Sequence, residues 1–196
     1  RNLCWGKSYG TTDRSANTDR VNYFRTRISN KETPANDKGW NSVTHYLDRH
    51  NLDCGAEGIM SFQLQRPNVN QIIYKYACKE GINSPSTNYT TPSNDDGGGN
   101  TIFLDRHNVD CGTRPISQFR LNRTSPSTIQ YQYRCNNRAA TGTCRDTATP
   151  WNQESNENIY LDRHNVKCNV GEVLSRFQLI RNGTGQFKYD YRCCKM

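Results

Sequence analysis

A chain of 196 residues with a formal charge of +8, from 26 Lys and Arg against 18 Asp and Glu, holds no apolar run near the roughly 18 to 20 residues of a membrane-spanning helix, and a membrane span is excluded on that reading. The basic residues are scattered without a Lys/Arg-rich run, so they read as a solvated, mildly basic surface rather than a nucleic-acid interface. Nine cysteines without a Cys-x-x-Cys pair read as disulfides rather than zinc ligands, and imply an oxidising compartment.

In chain order, residues 1–46 are an irregular N-terminal segment. Arg1-Asn2-Leu3-Cys4-Trp5 lacks both an initiator methionine and the apolar core of a signal peptide, which reads as an already processed chain. Val21 to Ile28 alternates as a strand, and Pro34, Asn36, Asp37 and Gly39 mark a loop before Trp40. A strict repeat then begins. Leu47-Asp48-Arg49-His50-Asn51 returns as Leu104-Asp105-Arg106-His107-Asn108 and as Leu161-Asp162-Arg163-His164-Asn165, with 104 − 47 = 57 and 161 − 104 = 57. After each copy come a cysteine (Cys54, Cys111, Cys168), a Phe-x-Leu-x-Arg stretch ending in Arg66, Arg123 or Arg181, and a Tyr-x-Tyr-x-Cys stretch closing at Cys78, Cys135 or Cys193. Alternation sets Ile72, Tyr74, Tyr76 and Cys78 on one face with Lys75 on the other, the pattern of antiparallel strands with one buried and one wet face. No segment shows a sustained helical period. The segments 79–103 and 136–160, rich in turn residues, read as divergent loops.

Three such units, each too small to bury its own apolar face, predict one all-β domain, residues 1–196, built as a pseudo-threefold β-prism, with a β-trefoil as the alternative. The units are 47–103, 104–160 and 161–196, the third completed by the N-terminal segment. The pattern between the two cysteines of each unit resembles the vitelline membrane outer layer proteins, as does the closing Cys193-Cys194 pair; that resemblance implies a three-sheet β-prism and a place in an extracellular coat. The Asp-Arg pairs within cysteine-bounded repeats are more distantly similar to dermatopontin, an extracellular matrix protein.

The Asp-Arg-His-Asn block could in principle carry acid–base chemistry, but it recurs three times in full, with no recurring nucleophile or glutamate beside it. It therefore reads as structural. Asp48, Asp105 and Asp162 are expected to form charge-assisted, largely buried pairs with Arg66, Arg123 or Arg181, among a motif set completed by Arg49, His50, Arg106, His107, Arg163 and His164. Convergence of the three histidines on zinc or copper is a rival reading, and the expectation is no metal and no cofactor. The Tyr-x-Tyr pairs read as core, whereas Trp40 and Trp151 are the candidate ligand contacts. Asn88, Asn122 and Asn182 head glycosylation sequons. Repetition predicts bridges Cys54–Cys78, Cys111–Cys135 and Cys168–Cys193, with Cys4–Cys194 latching the chain ends and Cys144 left over. The function expected is that of a secreted, non-enzymatic structural or adhesive protein that self-associates or binds an extracellular matrix or mineral surface. The alternative is a lectin with up to three equivalent glycan sites.

Overall fold

The computed structural model describes residues 27–196. The first unit runs β1 (Ile28–Glu32), β2 (Asn36–Asp37), the short 3-10 helices η1 (Trp40–Ser42) and η2 (Thr44–Arg49), β3 (Leu52–Asp53), β4 (Gly58–Asn68) and β5 (Gln71–Lys79). The second repeats the order as β6 (Ser86–Thr90), β7 (Asn94–Asp95), η3 (Thr101–Arg106), β8 (Val109–Asp110), β9 (Ile116–Ser125) and β10 (Thr128–Asn136). The third comprises β11 (Cys144–Ala148), β12 (Asn152–Gln153), η4 (Asn158–Arg163), β13 (Val166–Lys167), β14 (Glu172–Arg181) and β15 (Gln186–Lys195).

Each unit centres on an antiparallel hairpin, β4/β5, β9/β10 or β14/β15, whose second strand is flanked by β1 and β2, β6 and β7, or β11 and β12. The first strand of each hairpin pairs with a two-residue strand from another unit: β3 lies on β9, β8 on β14, and β13 returns to β4. Every unit thus donates a strand to the next, and the third donation closes the ring. The result is three separate five-stranded antiparallel sheets, a prism and not a closed barrel, so the trefoil alternative falls.

The inward alternation builds the core. Phe62, Phe119 and Phe177 meet with ring centroids 5.0, 4.7 and 5.1 Å apart, one from each sheet. Tyr74, Tyr131 and Tyr189 pack edge-on around them, and the second tyrosines Tyr76, Tyr133 and Tyr191 are also buried. The donated strands feed the same core, since Leu52, Val109 and Val166 sit opposite Phe119, Phe177 and Phe62. Burying one such side chain is worth about 1.5 to 3 kcal/mol.

Three disulfides pair as the repeat predicts: Cys54–Cys78, Cys111–Cys135 and Cys168–Cys193, with Cα separations of 5.6, 5.5 and 5.6 Å. The expected Cys4–Cys194 latch is overturned, because Cys194 bonds Cys144. The reason is register. β11 runs antiparallel to β15 and sets Cys144 directly opposite Cys194, with Cα atoms 4.0 Å apart. Cys194 also points away from Cys193, into a small second cluster with Ile82 and Val173. Cys4 lies outside the described residues, as does most of the strand read at Val21 to Ile28.

Two further readings change. The segments 79–103 and 136–160 are not merely divergent loops, for they supply β6, β7, β11 and β12. The described part of the N-terminal segment contributes β1 and β2 to the sheet of the β4/β5 hairpin, so residues 28–37 complete the first sheet rather than repeat 3.

Candidate functional site

The Leu-Asp-Arg-His block is helical rather than extended. In a 3-10 helix side chains three apart eclipse, so Thr44, Leu47 and His50 share one buried stripe, as do Thr101, Leu104 and His107, and Asn158, Leu161 and His164. The same spacing stacks each motif arginine over an aromatic ring three residues earlier. Arg49 lies 4.0 Å above Tyr46, Arg106 3.8 Å above Phe103 and Arg163 4.4 Å above Tyr160.

Each histidine is sealed in its own sheet by a threonine from the flanking strand segment. Nδ1 of His50, His107 and His164 lies 2.7, 2.9 and 2.8 Å from the hydroxyls of Thr33, Thr91 and Thr149. Those hydroxyl oxygens also accept the backbone N–H of Tyr74, Tyr131 and Tyr189 at 2.9, 2.9 and 3.0 Å. Nε2 of each ring has no partner among the described residues. Burial, helped by the adjacent motif arginine, lowers all three histidines to about 4. Uncharged and enclosed at pH 7, they are poorly placed for acid–base work. Nor do they gather round a common point: the one cluster of three ligand-type groups among the described residues is Cys168, Glu172 and Cys193, whose cysteines are bridged.

The threonines went unrecognised in the sequence, although Thr33-Pro34, Thr91-Pro92 and Thr149-Pro150 recur with 91 − 33 = 58 and 149 − 91 = 58. The expected aspartate–arginine pairs form only once. Arg66 Nε donates to Asp162 at 3.0 Å, across two units and on the surface. Arg181 instead holds Glu154 through two bonds of 2.8 Å, and Arg123 donates to the Pro126 carbonyl at 3.3 Å. Asp105 is raised from its usual range by burial, partly offset by Arg106 and Arg181. Asp48 has no ion-pair partner among the described residues, though its carbonyl accepts from Arg120 at 3.2 Å. All three repeat arginines are exposed, because the hairpin ends project beyond the core.

What distinguishes the three units lies on their outer faces. Cross-strand register defines one row of four residues on each sheet. The second sheet has Asn88, Arg134, Gln118 and Asp53; the third has Asp146, Arg192, Arg176 and Asp110; the first has Asn30, Ala77, Ser61 and Lys167. In the second, Arg134 crosses the face to bond Asp53. In the third, Arg192 holds Asp146 at 2.9 and 3.2 Å, with Arg176 3.6 Å away. The first sheet has Ala77 in place of that arginine, Ser61 beside it, and Lys167 where the acid stands. Its face is consequently a groove of about 890 Å³, floored by Ser61 and Ala77.

The next row along the groove is Glu32, Lys75 and Gln63. Lys75 and Lys167 have no ion-pair partner among the described residues, while Gln63 donates to the Asp162 carbonyl at 2.8 Å and Lys31, at the rim, to the Asp53 carbonyl at 3.2 Å. Sequence reasoning missed this groove. The predicted ligand contacts lie elsewhere: Trp40 stands out 80% exposed in η1, and Trp151 precedes β12 with the Lys188 ammonium 4.4 Å from its ring. Of the sequon asparagines, Asn88 and Asn182 are exposed and Asn122 is half-buried. Comparison with known proteins gives no matching family model, curated protein or solved structure.

Proposed function

We propose that this chain is a secreted, non-enzymatic structural or adhesive component of an extracellular coat, matrix or mineral-associated layer. The observation that carries the reading is the bracing of the body: every hairpin is bonded by a disulfide to the donated-strand segment of its own unit, and the third sheet carries a second bond at its edge. Such a framework is maintained in an oxidising environment and suits a protein that must persist outside the cell. The sealing of the three motif histidines removes the residues that would most readily serve as a general base. No helix among the described residues is long and apolar enough to cross a membrane. The test is immunogold labelling of the native source, in which label over the extracellular layer supports the reading and label confined to the cytosol overturns it.

The groove favours a second reading, carbohydrate binding. Three equivalent sites are not what the outer rows offer, since among the described residues two carry arginine–carboxylate pairs and one is open. A lectin of this form would bind through one site per chain.

A further inference from the structure

We propose that the groove on the first sheet binds an anionic stretch of an extracellular polysaccharide, one chain segment per protein, with Lys75 and Lys167 holding its acidic groups. This rests on, and deepens, the extracellular reading. The first sheet breaks the threefold symmetry of the outer faces. At the centre of the outer row, two sheets place an arginine whose charge is met by Asp53 or Asp146; the first places Ala77. Opposite this position the aspartates Asp53 and Asp110 are replaced by Lys167. Both changes act together, removing bulk from the floor and leaving a cation at its side with nothing within the described residues to neutralise it.

The second row adds Lys75, flanked by Glu32 on β1 and Gln63 on β4. Two lysines and one glutamate favour a ligand that carries spaced rather than dense negative charge. The amides of Asn30, Asn165 and Asn169, with no side-chain hydrogen bond among the described residues, and the Ser61 hydroxyl offer donors and acceptors for sugar hydroxyls. The groove runs across four strands, from Asn30 on β1 to Lys167 on β13. Three strand spacings of about 4.8 Å make that some 14 Å, long enough for a few sugar rings. The acidic group is a carboxylate or a sulfate ester; both present oxygens to an ammonium, and the lysine, a compact point charge, accepts either.

Because the whole chain is basic, the test must separate the groove from diffuse attraction. Binding of the full chain is measured by isothermal titration calorimetry with polygalacturonate, dextran sulfate and unmodified dextran. Saturable binding to one or both acidic polymers, and none to dextran, is expected, and the stronger of the two identifies the acidic group. Ala77→Arg places on the first sheet the arginine its neighbours carry. It adds a positive charge yet should weaken binding at least tenfold by filling the groove. Lys75→Glu with Lys167→Glu should do the same, whereas Arg123→Glu with Lys195→Glu, an equal charge change outside the groove, should alter affinity less than twofold. Retained affinity in Ala77→Arg, or equal loss in both charge-reversal pairs, overturns the proposal. Binding that passes these tests in a protein found only inside cells would refute the extracellular reading and leave the groove assignment standing.

Discussion

Acidification from pH 7 to pH 5 should strongly destabilise this protein through its three buried histidines. His50, His107 and His164 are at most 1% exposed, and Nδ1 of each shares a hydrogen bond with a threonine hydroxyl. A second ring proton would place charge in an apolar wall. The folded value is about 4 against 6.5 for a free imidazole, so the unfolded chain binds more protons between these limits. Stability from this source is fully present above pH 6.5 and is lost as pH falls towards 4. From pH 7 to pH 5 the loss is about 2 kcal/mol per histidine and about 6 kcal/mol for the three, a large share of the roughly 5 to 15 kcal/mol of an ordinary domain. The carboxylates held low by arginine, Asp146 by Arg192, Glu154 by Arg181 and Glu172 by Arg145, lose their contribution only nearer pH 4 and do not confound this window. Urea unfolding at pH 7, 6 and 5 reads the effect, and His107→Gln should reduce the pH slope by about a third. A stability flat between pH 7 and pH 5, or a slope unchanged in His107→Gln, would refute the sealed-histidine argument.

Other perturbations have different signatures. Phe119→Ala opens the three-ring centre and should cost about 3 to 5 kcal/mol in a chemical melt, more than truncation of any exposed aromatic. Asp162→Ala breaks a surface pair and should cost under about 1 kcal/mol; a loss of several kcal/mol would mean the Arg66 contact is far less exposed than described. Replacing both Cys144 and Cys194 by serine removes a bridge spanning 50 residues, worth about 4 kcal/mol in the chain-entropy model. Non-reducing peptide mapping should recover a Cys144–Cys194 peptide, and a Cys4–Cys194 peptide in its place would contradict the β11 register.

The hairpins and their three equivalent disulfides were readable because a period of two and a repeat of 57 survive in the plain order of residues. The helical block was not. Its buried stripe is three residues, Thr44, Leu47 and His50, within two short turns, too few to set a period against the strands on either side. The threonine partners lie 17, 16 and 15 residues before their histidines, so shortening loops shift them out of the 57-residue register and the Thr-Pro repeat passes for turn punctuation. The groove is hidden more deeply. Its row joins Asn30, Ala77 and Ser61 to Lys167 from another unit, and only ring closure through β13 brings that lysine to the first sheet.

The most direct test of the account is the thiol state of the protein in its native source. Free thiols are trapped by alkylation at the moment of disruption, and the extracellular and cellular fractions are mapped separately. The account predicts Cys54–Cys78, Cys111–Cys135, Cys168–Cys193 and Cys144–Cys194 oxidised in the extracellular fraction. Those cysteines alkylated as free thiols in a cytosolic pool would contradict it.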